Sequence, residues 1–181
     1  MKRLSFLAIV ALLLAGCGNQ PSAESTDKEK SETPVGGAMP VDLPYKMQYS
    51  NWTMGDPQNL KIILDMYKNW EDNKLDAAAA AFADSTYYDL ANGNMAVTTK
   101  QNILDSFKVW RGMSGSLSSD VITGLSLHSP DKNEDWVLTW SLNRWTSKDG
   151  KTDSSYSNDN WQLKNGKIAY MTSFEQKIKK K

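Results

Sequence analysis

Apolar side chains recur in two different rhythms along this chain, and the change of rhythm near residue 115 divides the folded part into a helical beginning and a stranded end. Asp56-Pro57 reads as a helix start, with Asp56 as N-cap and Pro57 in the first turn, where its missing N–H does no harm. Leu60, Ile63, Leu64, Tyr67 and Trp70 then share one face of a helix that the spacing ends near Asp72-Asn73. A second, short helix is expected from Leu75 to Ala83, its Ala77 to Ala81 run reflecting helix propensity and Phe82 closing it. Thr86 to Leu90 reads as a strand ended by the turn dipeptide Asn92-Gly93. Thr98 or Thr99 caps a third helix, with Ile103, Leu104, Phe107 and Trp110 on its apolar face and Gly112 at its end.

Beyond that point the period falls to two. Val121, Thr123, Leu125 and Leu127 alternate up to the break at Pro130-Asp131. Trp136, Leu138, Trp140 and Leu142 alternate next and read as core, which puts Trp145 on the other face with Thr139, Ser141 and Asn143. Asp149-Gly150 makes a hairpin turn, Tyr156 to Leu163 forms a strand, and Asn165-Gly166 turns the chain into a last strand bearing Ile168, Tyr170, Thr172 and Phe174. The expected sheet joins residues 121–129, 136–147, 155–163 and 167–175 as an antiparallel meander with the helices on one face. The fold class is therefore α+β: three N-terminal helices packed on a curved antiparallel sheet, which leaves a cone with an open mouth.

The first 44 residues follow neither rhythm. Lys2 and Arg3 precede an apolar stretch from Leu4 to Ala15, broken by Ser5 alone, of roughly 12 residues and too short to span a bilayer as a mature helix. Leu14-Ala15-Gly16-Cys17 at its end resembles the lipobox of bacterial lipoproteins. That resemblance implies a signal peptide over 1–16, cleavage before Cys17, acylation of Cys17, and a membrane-anchored, extracytoplasmic protein. Residues 17–44 are polar and proline-bearing, and cannot bury enough surface to offset chain entropy. As a tether they reach roughly 30 Å. Residues 45–181 form the domain, about 135 residues and enough for one core. Tyr45, Met47, Tyr49, Trp52 and Met54 are too apolar for tether and are expected to pack as a strand or lid across the cone.

Loss of Lys2 and Arg3 with the signal leaves 19 basic side chains against the 21 acidic ones, so no electrostatic footprint for nucleic acid exists. One histidine and one lipidated cysteine give zinc almost no ligands, exclude a disulfide, and imply no metal or cofactor. Gly150-Lys151-Thr152 lacks the upstream glycine and the following helix of a phosphate-binding loop, and reads as a hairpin. Gly112-Met113-Ser114-Gly115 lacks the spacing of a nucleophile elbow.

Phe82-Ala83-Asp84 leading into Tyr87-Tyr88-Asp89-Leu90-Ala91-Asn92-Gly93, with Asn165-Gly166-Lys167-Ile168 before the final strand, resembles the nuclear transport factor 2-like superfamily, which includes ketosteroid isomerase-like and SnoaL-like proteins. The resemblance covers roughly Pro57 to Glu175. It implies that Asp89, at the end of the first strand, points into the cone as a general base, with Tyr156 as oxyanion donor. The first-helix donor tyrosine of ketosteroid isomerase-like members falls at Met66, one residue from Tyr67. Tyr67, Tyr88, Trp110, Trp140 and Asn158 are the candidate ligand-lining residues. His128 reads as a polar-face side chain near a loop, able to pair with an aspartate. Tyr156, Asn158, Asn160 and Gln162 make a polar stripe that suits a sugar or another amphipathic ligand as well as solvent.

Three functions follow. The first is a lipid-anchored binding domain holding a small apolar or amphipathic ligand. The second is an isomerase, cyclase or dehydratase using Asp89. The third is an interaction module that pairs through its exposed sheet face, as in a homodimer. Lys177 and Lys179 to Lys181 read as a solvated end.

Overall fold

The computed structural model describes residues 44–89 and 93–178. The expected signal peptide over 1–16, Cys17 and the expected tether up to residue 43 thus lie outside the described residues, as do Leu90 to Asn92 and Lys179 to Lys181. Ten elements follow in order: β1 (Thr53–Met54), α1 (Pro57–Glu71), α2 (Leu75–Ala79), β2 (Phe82–Asp89), β3 (Met95–Thr99), α3 (Lys100–Met113), β4 (Ser114–Ser129), β5 (Glu134–Ser147), β6 (Thr152–Lys164) and β7 (Lys167–Lys177).

The helix boundaries have local causes. Asp56 accepts a hydrogen bond from the Gln58 backbone N–H at 2.8 Å, and Thr99 accepts one from Asn102 at 3.2 Å. α2 stops at Ala79, well short of Ala83, and Phe82 begins β2 instead of closing the helix. The reason is tertiary. The Ile168 N–H takes the Ala81 carbonyl at 2.9 Å, and Phe82 lies opposite Ile168 in the sheet, so alanine propensity yields to strand pairing. Gly112 has no positive φ and sits inside the last turn of α3, which passes into β4 without a loop.

The strands form one curved, unclosed seven-stranded sheet in the order β1-β4-β5-β6-β7-β2-β3. The meander β4 to β7 is antiparallel throughout, but β2 lies parallel to β7, so the sheet is mixed where the sequence pointed to an antiparallel one. Asn165 and Gly166, with φ of 53° and 68°, form the tight β6–β7 turn, and Gly150, with φ of 82°, makes Gly150-Lys151-Thr152 part of a hairpin.

Helices cover one face. There Ile63 and Met66 of α1, Ala78, Phe82, Ile103, Val137, Trp161, Leu163 and Ile168 make the buried core. Phe107 joins it to α1 and β2 through Trp70 and Phe82, with ring centroids 4.7 and 5.9 Å away. Cross-strand partners share a face, so Val137 and Trp161 put the odd-numbered positions of β5 and β6 under the helices. Trp136, Leu138, Trp140 and Leu142 therefore lie on the opposite, open face, and are not core; Trp140 is 51% exposed. Trp145 takes the covered parity. A register shift between Gln162 and Leu163 has a parallel effect in β7: Ile168 stays in the core, whereas Tyr170, Thr172 and Phe174 join the open face.

Candidate functional site

Under the helices the sheet carries a polar network beside the core. Asp159 of β6 is 7% exposed. Tyr67 of α1 donates to its Oδ2 at 2.7 Å, Ser157 donates to the same oxygen at 3.2 Å, and Ser173 of β7 donates to Oδ1 at 2.5 Å. The directions behind these bonds follow from chemistry. The Trp161 indole N–H can only donate, and it reaches Thr139 Oγ1 at 3.2 Å. Thr139 therefore donates its hydroxyl hydrogen bond to the Tyr67 oxygen, 2.9 Å away, and Tyr67 donates its own to Asp159. On the other side Ser157 receives from Ser141 at 2.9 Å and Asn143 at 3.0 Å, and donates onward to the same carboxyl.

Burial pushes the Asp159 carboxyl above the usual carboxylate range, the charge of Glu175 adds to that, and the three donors oppose it without prevailing. Burial likewise pushes the Tyr67 phenol well up, reinforced by the Asp159 charge, so Tyr67 keeps its proton. Every hydroxyl of this chain of bonds has a partner within the protein. The network ties α1, β5, β6 and β7 together.

The residues singled out from the sequence fall on different faces. Met66 is buried in the core, and the neighbouring Tyr67 is the one that turns its hydroxyl onto the sheet. Asp89 pairs with Thr172 of β7 and Met95 of β3, on the same face as Tyr87, whose ring stacks on Tyr170 at 5.3 Å. That is the open face, across the sheet from Tyr67. Tyr88, opposite Met171, takes the covered side. Trp110 projects from α3 and is 63% exposed. His128 Nδ1 meets Asp135 Oδ1 at 2.9 Å near the β4–β5 turn, a half-exposed pair away from the network. Among the described residues no group of three His, Cys, Asp or Glu side chains could hold a metal.

Trp140, Tyr156 and Asn158 do come together. With Ile122 and Phe174 they border a cleft of about 480 Å³ on the open face. Tyr156 and Phe174 are 45% and 64% exposed there. Further along the same face Trp136, Leu138, Asn160, Tyr170 and Thr172 border a second cleft of about 250 Å³. Tyr49 and Trp52, stacked at 5.4 Å, close its edge, and Tyr49 donates to Glu134 at 3.0 Å. The segment before α1 thus packs on the open face, pairs with β4 through Thr53 and Met54, and does not span a cone; Tyr45 and Met47 are exposed.

Asp159 escaped the sequence reading because β5 and β6 gave opposite signals. Large apolar residues sit at even positions of β5, polar ones at even positions of β6. The signal that resolves the conflict is the Asp149-Gly150 hairpin, which pairs Trp136 with Gln162 and forces both strands onto one parity.

The geometry has known counterparts. A Mycobacterium tuberculosis LEH-like epoxide hydrolase superposes with a TM-score of 0.56 at 9% identity, over 66% of this chain and 84% of that one. A nuclear transport factor 2-like protein from Burkholderia pseudomallei gives 0.54 at 11%, over 66% and 91%. A protein with a ketosteroid isomerase-like fold from Catenulispora acidiphila, in complex with trimethylamine, gives 0.52 at 13%, over 63% and 84%. The fold is nuclear transport factor 2-like. No protein-family model and no curated protein sequence matches the chain. Because enzymes and other proteins share this fold, function follows from the domain's own surfaces.

Proposed function

We propose that this chain is a lipid-anchored, extracytoplasmic binding domain that takes a small amphipathic ligand on the open face of its sheet. The observation that carries the reading is the cleft of about 480 Å³ bordered by Trp140, Tyr156, Phe174 and Asn158, where three large rings stand exposed around an amide. Apolar walls with a few polar groups are the usual make-up of a ligand site. An enzyme using Asp89 would need a proton donor beside it. Tyr67 lies across the sheet from Asp89, and Tyr156 shares the face of Asp89 but pairs with Gln176, four positions along β7 from the Thr172 that Asp89 pairs with. Asp159 already holds three donors, which favours a structural role for the covered network.

Titration with an amphipathic fluorescent dye tests the site. Trp140→Ala should weaken binding about tenfold, while Asp89→Asn should leave it unchanged. The reverse ranking would transfer the site to Asp89. The anchor rests on Leu14 to Cys17, and Cys17→Ser should release the protein from the membrane fraction. Unchanged membrane retention of that variant would overturn the anchor.

A further inference from the structure

On the open face, every side chain from Trp136 to Leu142, from Tyr156 to Gln162 and from Tyr170 to Gln176 is uncharged. The middle strand carries amides at Asn158, Asn160 and Gln162, and the strands beside it carry rings at Trp136, Trp140, Tyr170 and Phe174. The two clefts of about 480 and 250 Å³ lie at successive positions of this one strip. Its span along β5 is roughly 20 Å and its width over three strands about 10 Å. The strip is long, open, amide-centred and aromatic-walled, uncharged along its middle, with the carboxylates of Glu134 and Asp89 at its margins. Glu175 borders one end of it.

We propose that the strip binds a linear, neutral glycan, laid along β6 and several sugar rings long. This inference rests on the open-face reading above and names its ligand class. Aromatic rings present a negative π face to the C–H groups of a pyranose. Each amide offers two donors and an acceptor, a match for hydroxyl and acetamido groups. Without lysine or arginine the strip holds nothing for phosphate or nucleic acid. Its shallowness leaves a lipid chain largely in water. A second copy of this chain, docked face to face, would desolvate the amide rows, which costs free energy unless each amide finds a new partner.

The test uses the acylated full chain in detergent, titrated with N-acetylglucosamine and glucose oligomers from monomer to hexamer by calorimetry and tryptophan fluorescence. An amphipathic dye serves as reference ligand. Affinity should rise with oligomer length, and Trp140→Ala and Phe174→Ala should each lower it about tenfold with the fold intact by circular dichroism. Dye binding that depends on Trp140, without binding of either oligomer series, overturns the glycan and leaves the open-face site standing. Loss of both overturns both. A dimer that shields Trp140 from an aqueous quencher also overturns the glycan inference.

Discussion

Asp159 is a carboxyl whose environment works in two directions. Tyr67, Ser157 and Ser173 stabilise its charged form, and burial, the larger effect, disfavours it. With its folded-state pKa above the unfolded value, Asp159 contributes stability that is fully present below the ordinary aspartate range. That contribution is lost as pH rises through the raised folded value. Asp72, Asp84, Asp131 and Asp149, held down by lysine or serine partners, act with the opposite sign and lose their contribution as pH falls. Comparing the pH dependence of urea midpoints for the wild type and Asp159→Asn isolates the first effect. As pH rises from the ordinary aspartate range the wild type should lose more stability than the variant; parallel curves would show that burial does not raise the Asp159 pKa. Tyr67, by contrast, was legible early as a helix-face residue, but its partner on a strand 92 positions away was not.

At the scale of elements, caps and turns were readable because they are local. Asp56, Thr99, Gly150 and Asn165-Gly166 each act within a few residues of themselves. The end of α2 was not, because a pairing with Ile168 on the far side of the chain sets it. Nor was the face of β5. Its tryptophans and leucines look like core, and only pairing with β6, whose Trp161 and Leu163 are buried, shows them to be outside. The join between β1 and α1 depends on a close approach. A Cβ at Gly55 would stand 2.7 Å from Ser126 Oγ and 2.8 Å from the Leu127 carbonyl carbon, and backbone cannot yield as a side-chain tip can. Gly55→Ala should therefore destabilise the domain by about 1–3 kcal/mol, read as a lowered urea midpoint; an unchanged midpoint would mean that β1 shifts freely.

Across the whole molecule the two faces of one sheet divide the work. The helix-covered face spends its polar groups on each other and joins α1 to β5, β6 and β7. The open face leaves Trp140, Tyr156 and Phe174 in water. The α+β class was legible in the periodicities and the turn dipeptides, and the nuclear transport factor 2-like fold in the resemblance carried by residues 82–93 and 165–168. Trp140 and Asn158 stood among the ligand-lining candidates and Tyr156 as an oxyanion donor, and their meeting in one cleft depends on three strands in register. The most direct measurement is backbone amide NMR during titration with a bound amphipathic or saccharide ligand. The account predicts shifts concentrated at residues 138–142, 156–160 and 172–176, with Tyr67 and Asp159 still. Shifts centred on Tyr67, Asp159 and α1 would contradict it.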